Sequence, residues 1–332
     1  MATRVDFHTH IIPDQLPDFA SKYGGTRWPT IEKTCSCGAN IMIAGNLFRQ
    51  ITDQCWDPNK RIEDMVNEGV DMQVISPIPV TFSYWAPPEA AEEMARLQND
   101  FIADTVRKNP DRFIGLGTVP LQDVETSIRE MARCMNELGL HGIEIGTNVN
   151  GLNLDDPAFL PFFEMCEKWQ VPLFIHPWET LGRERMPRHN FMYTVGMPSE
   201  TALAAASLVG GGVIEKFPNL KICFAHGGGS FPFILPRLDQ GWNVWPHLRV
   251  TEHPPSHYTK NFYFDSLNYD PLNLKLMIDR FGSDKIVMGT DYPFPLRELP
   301  PGKVIYDTPG LTSEEKAAML GGNALAFLNW KR

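Results

Sequence analysis

Four short apolar runs in this chain end on five side chains that can bind a metal or move a proton. His8 and His10 follow Arg4-Val5-Asp6-Phe7, and His176 follows Val171-Pro172-Leu173-Phe174-Ile175. His226 follows Ile222-Cys223-Phe224-Ala225, and Asp291 follows Ile286-Val287-Met288-Gly289-Thr290. Side chains alternate faces along a strand, so His8 and His10, two apart, project to one side and can grip a single ion. In a barrel of parallel strands the chemistry gathers where strands end and loops begin, which is the setting of all five.

Eight apolar, β-rich runs read as strands: 5–7, 72–76, 113–118, 142–145, 173–176, 221–225, 262–265 and 285–288. Between most of them lie helical patterns, clearest over 61–68, 88–108, 124–138, 157–168, 199–216 and 271–281. Strand–helix alternation predicts an α/β fold with a parallel sheet, and eight strands predict closure into a (β/α)8 TIM barrel. A barrel of ~250 residues plus an insertion accounts for the 332 residues as one domain, 1–332. The insertion is the Gly-, Pro- and Thr-rich span 11–58. Within it, 38–49 reads as a small hairpin around a Gly45-Asn46 turn, leaning over the barrel mouth.

A net charge of −10 with no basic run argues against nucleic acid or an anionic membrane surface as a partner. No apolar stretch reaches the ~18 residues of a membrane span. The first strand begins almost at Met1, which leaves no room for a signal peptide, so a cytoplasmic location is expected. Six scattered cysteines read as reduced thiols. Cys35-Ser36-Cys37 is their one cluster, and with no second pair it reads as a surface turn.

Three histidines and a carboxylate, with an open position for water, suit zinc or another divalent transition ion. Such an ion would polarise a substrate or lower the pKa of bound water to ~7. Four ligands suffice, which leaves one histidine for catalysis. His226 is the best candidate, because His226-Gly227-Gly228-Gly229-Ser230 brings backbone close to a ligand and leads into a helix N-terminus. Asp291, directly after the last strand, can ligate the ion or share a proton with its water. Arg49 and Arg237 are candidate carboxylate clamps, since a guanidinium fork fits a carboxylate with two bonds. His141, His189, His247, His253 and His257 lack a strand-end setting and read as surface or locally hydrogen-bonded residues.

These features are joined by further motifs along nearly the whole chain. They include Asp6-Phe-His-Thr-His10, Phe48-Arg49, Cys55-Trp-Asp-Pro58 with Arg61-Ile62, and Pro79-Val-Thr-Phe-Ser-Tyr-Trp85. Gly115-Leu-Gly-Thr118, His176-Pro-Trp178, Gly196-Met-Pro198, Phe224-Ala-His-Gly-Gly-Gly229 and Gly289-Thr-Asp-Tyr-Pro-Phe-Pro-Leu296 complete the set. Together they resemble the amidohydrolase superfamily and, more narrowly, the 2-amino-3-carboxymuconate-6-semialdehyde decarboxylase family. The resemblance implies zinc held by His8, His10, His176 and Asp291, with His226 as the base and Arg49 on the substrate carboxylate. It also implies a homodimer in which Arg237 reaches the neighbouring subunit's site. Two departures bear on the substrate. The family's Trp-Leu-Pro-Trp before Gly-Met-Pro is replaced by Asn190-Phe191-Met192-Tyr193, and no lysine shortly precedes Arg49.

The activity expected is non-oxidative decarboxylation of a small anionic ring-cleavage product. The 2-hydroxy analogue, an aromatic hydroxy acid of the resorcylate type, and metal-assisted hydrolysis or hydration are the alternatives. A non-catalytic metal-binding protein would be expected to lose His226 or Asp291 and keep only ligands, and both are present.

Overall fold

The computed structural model describes residues 3–331. Eight parallel strands alternate with helices and close into an α/β barrel. They are β1 (Val5–Ile11), β2 (Met72–Pro77), β3 (Phe113–Gly115 continued by Gly117–Thr118), β4 (Ile143–Gly146), β5 (Leu173–His176), β6 (Ile222–Phe224), β7 (Phe262–Asp265) and β8 (Ile286–Val287). Registers such as Val5↔Met72, Ile75↔Gly115, His176↔Gly146, Ile222↔Phe262 and Asp265↔Val287 run in parallel around the sheet. The ring is completed between β8 and β1, where Phe7 N–H donates to Met288 O at 2.8 Å and Asp291 N–H to His8 O at 2.9 Å. His10 N–H donates to Tyr292 O at 2.8 Å in the same seam. No edge strand is left in such a ring.

The barrel floor is apolar. Val5, Phe7, Met72, Val74, Ile114, Leu116, Phe174 and Val287 form one buried cluster, plugged from below by Phe327 and Leu328. A register shift between Asp6 and Thr9 in β1 re-aims the chain above this floor. Phe7 can then pack on Phe174 and Phe327 while His8 sits over the same Phe174 ring, beside His10 and His176. Bulges of this kind recur beside active sites because they redirect a side chain. A larger core lies between the strands and the outer helices. Val124–Asn136 is typical of those helices. Asp123 caps it by accepting Thr126 N–H at 2.9 Å, and Ser127, Met131 and Cys134 face inward; such a cap is worth ~1 kcal/mol.

Residues 29–52 form a three-stranded antiparallel sheet, Pro29–Cys35, Gly38–Ile43 and Asn46–Thr52. The expected hairpin is its second and third strands. Its turn is Ala44-Gly45, both at positive φ (51° and 73°), one residue earlier than the Gly-Asn reading, and Asn46 opens the next strand. Paired positive-φ residues match the twist of the flanking strands. Pro29–Cys35 was not expected as a strand, because Glu32, Lys33 and Thr34 leave it little apolar alternation. Ala39, Ile41 and Ile51 pack this sheet against Ile12, Ile78, Val80 and Phe294 at the end of the barrel where the strand-end histidines lie.

Candidate metal centre and active site

His8, His10, His176 and Asp291 each offer a ligand atom, and the four atoms lie within 4.8 Å of one another. His8 Nε2 and His10 Nε2 are 3.1 Å apart, and Asp291 Oδ1 is 3.5 Å and 3.3 Å from them. A tetrahedral zinc site with ~2.05 Å bonds has ligand–ligand edges of roughly 3.3 Å. The outer nitrogens are already engaged. His8 Nδ1 meets Asp265 Oδ2 at 2.6 Å, His10 Nδ1 meets Pro77 O at 2.9 Å, and His176 Nδ1 meets Pro177 O at 3.1 Å. Each contact puts the ring proton on Nδ1 and turns the Nε2 lone pair inward. His176 Nε2 is buried without a hydrogen-bond partner among the described residues. Converging lone pairs of this kind need a cation, so the residues present fit a divalent metal.

Asp265 closes β7 and organises the centre from behind. Its Oδ2 accepts from His8 and from His226 N–H at 2.9 Å, and its Oδ1 accepts Gly227 N–H at 2.8 Å and Leu267 N–H at 3.0 Å. Burial alone would raise its pKa, but the His8 contact outweighs this and lowers it. His8 is raised, because the Asp265 hydrogen bond and the Asp291 charge overcome burial. For Asp291, the His10 hydrogen bond and the charges of His8 and His10 outweigh burial and bring its pKa down to about 2. Gly289 makes the assembly possible: a Cβ there would lie 2.8 Å from the His8 Cβ and 2.9 Å from the Asp265 Cβ.

His226 stands beside the centre, its ring centroid 5.2 Å from those of His8 and His176. Burial, with the nearby His8 charge, holds its pKa down at about 4. The imidazole is thus neutral at neutral pH and able to accept a proton. Its Nδ1 has no partner among the described residues. The three glycines that follow all take positive φ, and a Cβ at Gly229 would fall 1.9 Å from Pro198 O. The turn admits no side chain there, and the helix Phe231–Val244 starts directly after it.

Above these groups opens a cavity of about 1100 Å³, lined among others by His176, His226, Asp291 and Arg49. The Arg49 guanidinium lies 4.0 Å from the Phe294 ring centroid and 5.0 Å from that of Tyr193. No hydrogen bond or ion pair engages it among the described residues, so its donors remain available to a carboxylate. Asn190 also lines the cavity, as does His189; both are exposed, so the surface reading of His189 holds, and the cavity lining is what it did not foresee. Both take positive φ (52° and 62°) just before a π-helical turn over Met192–Gly196, a combination that no residue pattern announces. Arg237 lies exposed on the helix Phe231–Val244, outside the cavity lining of its own chain.

Sequence reasoning missed Asp265, although a carboxylate closing a strand is the same signal that singled out Asp291. It also missed Glu144 of β4, buried 3.8 Å from His10 Nδ1 with neither carboxylate oxygen hydrogen-bonded. Burial pushes the Glu144 carboxyl well above the usual range.

A buried three-histidine, one-carboxylate cluster under a cavity at the mouth of a parallel barrel defines a candidate mononuclear metal enzyme. Residues 5–330 match the amidohydrolase family. The chain is 49% identical over 327 residues to the 2-amino-3-carboxymuconate-6-semialdehyde decarboxylase of Dictyostelium discoideum, covering 98% of this chain and 91% of that one. It is 31% identical over 257 residues to a gamma-resorcylate decarboxylase of a Polaromonas species, covering 71% of this chain and 77% of that one. Among solved structures, 5-carboxyvanillate decarboxylase from Sphingomonas paucimobilis superposes with a TM-score of 0.84 at 25% identity over the full length of both chains. The chain belongs to the amidohydrolase superfamily and, within it, to the 2-amino-3-carboxymuconate-6-semialdehyde decarboxylase family.

Proposed function

We propose that this protein is a zinc-dependent carboxy-lyase that removes CO2 without redox chemistry from 2-amino-3-carboxymuconate 6-semialdehyde or a close analogue. One observation carries the reading: four inward-facing ligand atoms lie within 4.8 Å of one another, and two of their residues, His176 and Asp291, line a cavity with a neutral His226 whose Nδ1 is unpartnered and with an unpaired Arg49. His8, His10, His176 and Asp291 would hold the ion. When bound, a divalent ion supplies Lewis acidity and makes water a competent nucleophile at neutral pH. Three imidazoles and a carboxylate suit zinc.

Arg49 takes the substrate carboxylate in a bidentate pair and, braced between aromatic rings, fixes its plane. His226 accepts a proton from the water that adds to the conjugated chain and returns one to the carbon bearing the carboxylate. That carbon's bond to CO2 then breaks. The electron pair forms a new double bond as the added hydroxide leaves. Carboxylate plus water becomes C–H, CO2 and hydroxide, which balances without an oxidant.

Arg237 is proposed to serve the site of a second copy. It has no ion-pair partner among the described residues; Phe233, one turn before it, is 78% exposed, and Val244 and Trp245 at the far end of the same helix are exposed too. An apolar flank around an unpaired arginine suits a homodimer contact.

Decarboxylation of an aromatic hydroxy acid is the second reading, favoured by the 31% identity to a gamma-resorcylate decarboxylase. Asn190, an exposed residue of the cavity lining, sets an amide where the family has a large ring, and a polar group that the wrong substrate covers without pairing costs ~1–3 kcal/mol. The 2-hydroxy compound is therefore expected to rival the 2-amino one. The test measures kcat/KM for the amino and hydroxy semialdehydes and for dihydroxybenzoates, in zinc-loaded wild type and Asn190→Trp. Consumption of the semialdehydes, with a ratio shifted toward amino in Asn190→Trp, supports the reading. If only the dihydroxybenzoates are consumed, the second reading replaces it.

A further inference from the structure

The Cys35-Ser36-Cys37 motif lies outside the chemistry described so far, at the tip of the three-stranded sheet. Cys35 ends the first strand and pairs across the turn with Gly38. Its Sγ lies 3.0 Å from Cys37 Sγ, and both residues are exposed. Gly38 leaves the space for this arrangement: a Cβ there would lie 3.2 Å from Cys35 Sγ. Both arms of the turn are anchored, one by the Lys33↔Ala39 pairing and the other by Asp53 N–H donating to Cys37 O at 3.1 Å. The remaining cysteines (55, 134, 166 and 223) are buried. The only exposed thiols of the described residues are thus held together, about one ångström beyond the ~2.05 Å of a disulfide bond.

We propose that Cys35 and Cys37 form a thiol–disulfide exchange site for small disulfides of the glutathione type. The Cys35 thiolate attacks one sulfur of the small disulfide, forming a mixed disulfide and releasing the first small thiol. Cys37 then attacks Cys35 Sγ, closing the Cys35–Cys37 bond and releasing the second. Two protein thiols lose two electrons, the small disulfide gains them, and the two protons end on the released thiols. The order follows from the local contacts. The Cys37 contact, which either sulfur can donate, lowers the pKa of Cys35 and raises that of Cys37, and the backbone N–H groups of Cys37 and Gly38 lower Cys35 further. An attacking thiol wants the larger thiolate fraction. Pre-positioning makes the second step intramolecular and fast.

The test is mass spectrometry of the full chain after native incubation with glutathione disulfide. The expected wild-type product has lost two hydrogens, located in the tryptic peptide 34–49, and carries no stable adduct. Cys37→Ser should accumulate one glutathione on Cys35, and Cys35→Ser should react at least ~10-fold more slowly. Stable glutathione on both wild-type cysteines, equal rates in the two serine variants, or no reaction while both thiols still alkylate freely would overturn the proposal.

Discussion

Asp265→Asn changes one atom and no volume, yet the geometry predicts a large effect. Each Asp265 oxygen accepts two N–H donors, from His8 and His226 on one side and from Gly227 and Leu267 on the other. Whichever way the amide is turned, its NH2 confronts two donors. A buried donor left without an acceptor costs ~1–3 kcal/mol, so the folded state should lose roughly 2–5 kcal/mol if nothing adjusts. The cheapest adjustment is for His8 to give up its Nδ1 proton and accept from the amide, which moves the proton to Nε2 and blocks the inward lone pair. Either route weakens the metal centre, and carboxylates that orient a ligating histidine are typically worth ~10–100-fold in affinity. The assay is zinc titration against a chromophoric chelator at fixed pH, paired with kcat/KM at saturating zinc. The variant should bind zinc at least ~10-fold more weakly and recover part of its activity in excess zinc. Unchanged affinity in a folded variant would refute the claim that Asp265 sets the His8 tautomer.

Glu298 should shape stability against pH. It is 5% exposed, its Oε1 accepts Val304 N–H at 3.0 Å, and burial outweighs its backbone hydrogen bonds to push its pKa from 4.5 up to about 7. The wild type should therefore lose stability as pH rises from about 4.5 to about 7, since the unfolded chain releases this proton first. Glu298→Gln should gain relative to it across that window by at most ~3 kcal/mol, and parallel denaturation curves for the two proteins at pH 5 and pH 8 would exclude this. Gly289→Ala should destabilise the fold by ~1–3 kcal/mol and impair metal binding, because the two atoms it meets are backbone-anchored Cβ atoms that cannot rotate aside; chemical denaturation and zinc titration check both. Mixing inactive Arg49→Ala and Arg237→Ala chains should restore activity in hybrids, one site of which keeps both arginines. No recovery despite measured subunit exchange would remove Arg237 from the shared site.

The parallel barrel and the strand-end ligand types were legible because each depends on local pattern. Apolar runs of strand length place β1, β5, β6 and β8, and the next polar residue falls at the mouth. What was not legible depends on encounters between distant segments. Asp265 meets His8 across 257 positions, and only the ring closure between β8 and β1 brings them together. Glu144 sits inside a buried strand, where an acidic residue runs against composition. His189 reaches the cavity through two consecutive left-handed residues and a π-turn. The strand Pro29–Cys35 is held by pairing to Gly38–Ile43 more than by its own residues, so its sequence looked like loop.

The central claim is a division of labour in which four residues hold the ion and His226 moves the proton. Metal content and CO2 release, measured together on His176→Ala and His226→Ala, test it most directly. The account predicts that His176→Ala loses both. His226→Ala should keep a full equivalent of metal while turnover falls by ~100-fold or more. Metal lost from His226→Ala, or retained in full by His176→Ala, would contradict it.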